Sequence, residues 1–119
     1  MYGATHSLKV WQEAHELVLR IYAVTKTFPK EELYGLTSQI RRAAVSIPSN
    51  IIEGKARGTA KELQRFLLIA RGSLEELKYQ ILLAKDLEYM DKNTYSDIVT
   101  QANIVGKLLN GFIVSTKQN

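Results

Sequence analysis

The chain has 119 residues, 45% of them hydrophobic, no cysteine, and a net charge of +4 from 16 basic and 12 acidic side chains. That length suits a single domain over 1–119 with its own core, and the missing cysteines exclude disulfides, thiolate metal sites and cysteine nucleophiles. No run of ~18 apolar residues occurs, and the opening Met-Tyr-Gly-Ala-Thr-His-Ser lacks the basic start and apolar middle of a secretory signal, so a cytoplasmic protein without a membrane partner is expected.

Ser7 offers a side-chain oxygen to cap a first helix, over about 8–27. Trp11, Ala14, Val18, Ile21, Thr25 and Phe28 recur every three or four residues, with Leu17 and Val24 widening the stripe. Pro29 disfavours helix at Phe28, and Pro29-Lys-Glu-Glu32 reads as a short turn.

The second helix is expected over about 36–53. Ile40, Ala44, Ile47 and Ile51 form its apolar stripe, and that stripe keeps its phase across Pro48. The proline removes one backbone donor and presses on the carbonyl of Ala44, so one kinked helix is predicted. Gly54 and Gly58 then break the pattern.

Thr59-Ala-Lys-Glu62 is a capping box that opens a third helix, about 60–88. Leu63, Phe66, Leu67, Ala70, Leu74, Leu77, Ile81, Ala84 and Leu87 carry its core face. At ~1.5 Å per residue this element spans about 40 Å. Asp91 or Asn93 can cap the fourth helix, about 94–115, whose seam is Tyr95, Ile98, Ala102, Val105, Leu109 and Phe112. The polar tail after Ser115 is expected to fray. No stretch alternates with period two, so the class is all-α. Short connections imply an antiparallel up-down-up-down four-helix bundle.

Two faces exceed the needs of a core. Leu68, Gly72, Tyr79 and Leu83, with Leu82 beside them, make a second apolar stripe on the third helix, around a mid-helix glycine that costs ~1 kcal/mol against alanine. It reads either as the wide stripe of a central helix or as a subunit interface. On the second helix Arg42, Ser46, Ser49 and Glu53 form a polar strip, which is either a solvated face or an interface with partners on another subunit.

The spacing offers no catalytic constellation. His6 and His15 both precede the first arginine, and His15, four residues after Trp11, reads as a packed structural histidine. No Glu-x-x-His exists for a di-metal bundle site, and Gly54-Lys-Ala-Arg-Gly58 lacks the spacing of a phosphate-binding loop. Neither an enzyme nor a bound metal or cofactor is expected. Candidate phosphate contacts are Arg41, Arg42, Lys55, Arg57 and Lys61, with Arg65 and Arg71 beyond them, and ordinary solubilising charge is the competing reading.

Leu8-Lys-Val-Trp-Gln-Glu-Ala-His-Glu-Leu17, the block Tyr34–Gly54 containing Gln-Ile-Arg-Arg-Ala-Ala-Val-Ser-Ile-Pro-Ser-Asn-Ile-Ile-Glu-Gly, and Phe66-Leu-Leu-Ile-Ala-Arg-Gly-Ser-Leu-Glu-Glu-Leu77 together resemble the 23S rRNA intervening-sequence protein family, or four-helix bundle protein family. Ile52 stands where that family usually has alanine, and Lys55-Ala56 replaces a small or aromatic pair. The resemblance implies a four-helix bundle assembled as a ring-shaped homopentamer, with a link to ribosomal RNA. The expected function is non-enzymatic RNA association through the five basic residues, with Arg42, Glu53, Leu68, Gly72, Tyr79 and Leu83 at the oligomer interface. The alternative is a protein-interaction scaffold without a nucleic-acid role.

Overall fold

The computed structural model describes the backbone of residues 4–117 and the side chains of 9–117. Four α-helices follow one another: α1 (Ala4–Thr25), α2 (Leu36–Ala56), α3 (Ala60–Asp86) and α4 (Lys92–Thr116). A single 3-10 turn, Lys30–Glu32, lies between α1 and α2, and no strand occurs among the described residues. Each helix packs on its neighbours in the chain, and α4 returns to α1. The pairs α1–α3 and α2–α4 do not approach closely, so the four helices surround one core. The particle measures 47 × 25 × 18 Å.

Helix α1 already includes Ala4, so Ser7 lies inside it and is not its N-cap. A capping preference is local, and Ala4 ahead of it is the best of helix formers. The core face of α1 centres on Val10, Ala14, Leu17 and Ile21, all fully buried, while Trp11 and Val18 sit at its edge. Trp11 stacks on His15 with ring centroids 5.2 Å apart, which accounts for that histidine structurally. The side chain of His6 lies outside the described residues.

Pro48 is buried within α2, and the helix continues through it. Gly54 does not end α2 as the sequence pattern predicts. It sits in the last turn, where a Cβ would lie 2.9 Å from Phe66 Cβ and 3.3 Å from the Leu63 carbonyl oxygen. Glycine here permits α2 and α3 to touch. The breaker is Gly58, whose φ of +85 favours a residue without a Cβ.

Thr59 caps α3, its Oγ1 accepting from the Glu62 amide at 3.2 Å. Glu62 turns instead to Arg65 at 3.1 Å, so half of the predicted box is realised by side chains. Asp91, rather than Asn93, caps α4, with Oδ1 accepting from the Thr94 amide at 2.7 Å. The Thr94 amide holds the Asp91 carboxyl below its ordinary pKa. Helix α4 runs one residue past Ser115, and the final two residues of the polar tail lie outside the described residues.

By length and composition α4 is apolar enough to cross a membrane. A criterion of unbroken apolar runs overlooks this. Its Ile98, Ala102, Val105, Leu109 and Phe112 are all in the core.

Candidate nucleic-acid interface

The five predicted cations fall into two groups on α2 and the start of α3. Arg41 and Arg42 occupy the first half of α2, whereas Lys55, Arg57 and Lys61 surround the three-residue connection from Arg57 to Thr59. Between Arg41 and Arg57 the helix rises about 24 Å. No single site holds both groups.

Arg41 is half-buried against α1. Its Nε donates to Thr25 Oγ1 at 2.9 Å and its guanidinium lies 4.7 Å from the Tyr22 ring centre. Thr25 in turn donates to the Ile21 carbonyl at 2.7 Å, which closes a small polar cluster at the end of α1. Arg42, the next residue, is rotated about 100° around the helix and points to the α2–α3 side, where it is exposed. Adjacent arginines thus serve different surfaces.

The second group is more coherent. Arg57 Nη2 pairs with Glu53 Oε2 at 3.1 Å, and Arg65 Nε with Glu62 Oε2 at 3.1 Å. Both guanidinium groups also lie over the Phe66 ring, at 5.0 Å and 4.5 Å from its centre. Phe66 is buried, so the ring fixes two cations on one shelf at the surface. The hydrogen bond from Arg65 pulls the Glu62 carboxyl below its ordinary pKa, with Arg57 and Lys61 helping electrostatically. The same bond raises the Arg65 pKa. Lys55, in the last turn of α2, and Lys61, in the first turn of α3, are both exposed.

These ion pairs are open to solvent, and such pairs contribute about 0–1 kcal/mol. A phosphate can therefore compete for Arg57 or Arg65 at little cost. The pairing of Arg57 and Arg65 around Phe66 is not legible in the sequence. Phe66 follows Arg65 directly and Arg57 by nine residues. That spacing does not reveal that α2 and α3 converge on the ring.

The residues expected at an oligomer interface are also divided. Glu53 is engaged with Arg57 of its own chain. Leu68 and Tyr79 are exposed, Tyr79 by 63%, and Leu82 lies beside them at 37%. Gly72 is exposed, and beyond its chain neighbours and the adjacent backbone of α3 nothing lies within 4 Å of a Cβ built there. Leu83 packs against the core. The outward apolar stripe of α3 is therefore Leu68, Gly72, Tyr79 and Leu82. Among the described residues, no group of three His, Asp or Glu side chains could hold a metal ion.

The arrangement defines a basic, all-helical protein with a cationic shelf at one helix connection. The chain belongs to the 23S rRNA-intervening sequence protein family, whose model matches residues 6–111. It is also similar to a crystal structure of a protein with unknown function from the S23 ribosomal protein family of Bacteroides thetaiotaomicron. The two are 25% identical, with a TM-score of 0.84 over 92% of this chain and 98% of that one. No curated protein matches the chain.

Proposed function

We propose that the protein is a non-enzymatic, cytoplasmic RNA-associated bundle that contacts phosphates through the shelf around the α2–α3 connection. The carrying observation is the convergence of Arg57 and Arg65 on the Phe66 ring beside the start of α3, with Lys55 and Lys61 exposed on either side of the same connection in the chain. Free amides in the first turn of a helix add a favourable dipole for an anion. The family's name, which ties it to 23S rRNA, supports ribosomal RNA as the partner.

The same reading takes residues 1–119 as one domain, an antiparallel up-down-up-down bundle with α2 bent at Pro48. Arg71 donating to Asn110 at 3.3 Å and Gln64 donating to Thr116 at 3.2 Å support opposite directions for α3 and α4. Self-association, as the homopentamer implied by the family resemblance, uses the stripe through Leu68, Gly72 and Tyr79. A second reading, a protein-interaction scaffold, is favoured by the pairing of Arg57 and Arg65 with carboxylates of their own chain.

The test is binding of 23S rRNA fragments across a salt series, with the mass of the protein measured by light scattering. Affinity falls steeply with salt, and Lys55→Ala and Lys61→Ala each reduce the slope by about 1. Arg41→Ala, whose side chain is held on α1, leaves the slope nearly unchanged. Absence of binding at low salt overturns the RNA reading and leaves the scaffold.

A further inference from the structure

Toward the beginning of α2 the seam with α3 opens into a notch of about 360 Å³. Gln39, Arg42 and Ser46 line it from α2, and Ser73, Glu76 and Gln80 from α3. At one end the two serine hydroxyls share a hydrogen bond of 2.8 Å, and Asn50 Nδ2 donates to Ser46 Oγ at 2.9 Å. One hydroxyl hydrogen of the pair is left over, because a single bond between two hydroxyls uses only one.

Along the rest of the lining Gln39, Arg42 and Glu76 are exposed, and Gln80 is buried. Gln80 is 5% exposed, its Oε1 is buried, and that oxygen has no hydrogen-bond partner among the described residues. Leaving such a group unpaired costs about 1–3 kcal/mol. Arg42 and Glu76 carry opposite charges on the same notch, yet neither makes an ion pair among the described residues. Elsewhere Arg20, Arg57, Arg65 and Lys78 have each met a carboxylate within about one helical turn.

From this geometry we infer that the notch binds a small zwitterion of the free amino-acid class. Arg42 takes the carboxylate, for which its planar fork is suited. Glu76 takes the ammonium group, and a turn of the buried Gln80 side chain brings its unpaired oxygen to the same group. Glu76 disfavours a phosphate or a nucleic-acid backbone at this place, and the polar lining disfavours an apolar ligand. The volume lies at the small end of ligand sites. The site is separate from the cationic shelf, at the other half of α2.

Calorimetric titration of the full chain tests this, using glycine and glutamine as zwitterions, acetate as a carboxylate without an ammonium group, and methylammonium as the reverse. At least one zwitterion binds saturably, and each single-charge probe binds about tenfold more weakly or less. Arg42→Gln and Glu76→Gln, both at exposed positions, each weaken zwitterion binding by about tenfold or more. Failure of both zwitterions to saturate at the highest soluble concentration overturns the proposal. So does either single-charge probe binding as tightly as the zwitterions, or binding that neither variant alters.

Discussion

The two ends of the α2–α3 seam are built on different principles. At Gly54 the helices are so close that a methyl group would collide with Phe66 and Leu63. About 18 Å back along α2, at Arg42, the same two helices part around a polar notch. Small and apolar residues close the first end. Long polar side chains, among them a buried and unpartnered carboxamide, hold the second end open. The notch end is instead tied by a polar clasp, in which Glu32 accepts from the Leu36 amide at 3.1 Å and from Tyr89 Oη at 2.8 Å. Packing density thus varies along one helix pair, and its local value follows from the side chains rather than from the pair as a whole.

The largest effect expected from breaking this contrast is at the closed end. Gly54→Ala introduces a Cβ against a Cβ and a backbone oxygen that cannot swing away. Overpacking costs about 1–3 kcal/mol, and the better helix propensity of alanine offsets ~1 kcal/mol of it. Thermal unfolding reads the net loss as a melting temperature lower by several degrees. At the open end the sign reverses. Gln80→Leu removes the unpaired carboxamide and raises stability by about 1 kcal/mol, while weakening the zwitterion binding inferred above.

The smallest effect sharpens the comparison through pH. The Leu36 amide first, then the Tyr89 hydroxyl, pull the Glu32 pKa below its ordinary value of 4.5. A depressed carboxyl contributes stability that is present above that value and lost as pH falls through the lower folded one. Melting temperatures taken from about pH 7 to about pH 3 therefore fall more for the native chain than for Glu32→Gln. Gly54→Ala, which changes only packing, shows the same acid loss as the native chain.

Much of this molecule is legible in local pattern. The stripes of period 3.6, the cap at Thr59 and the cap at Asp91 depend on residues within a few positions of one another. They place all four helices to within a few residues of their observed bounds, and three ordered blocks point to the family that matches residues 6–111. Arg41 and Arg42 read as a pair because they are adjacent, yet the helix sends them to different surfaces. Gly54 reads as a breaker because glycine usually is one, and its use is settled by Leu63 and Phe66 on another helix.

The kind, number and order of the elements come from the chain's own pattern, since they follow from backbone propensity and short-range periodicity. Tertiary structure decided which cations share a shelf, where α2 and α3 touch, and where they leave Gln80 without a partner among the described residues. Each of these depends on contacts between residues far apart in the chain, such as Ser46 with Ser73 and Glu32 with Tyr89. Such contacts exist only once the helices have packed, because hydrogen bonds and van der Waals contacts act over a few ångströms and carry no trace along the chain.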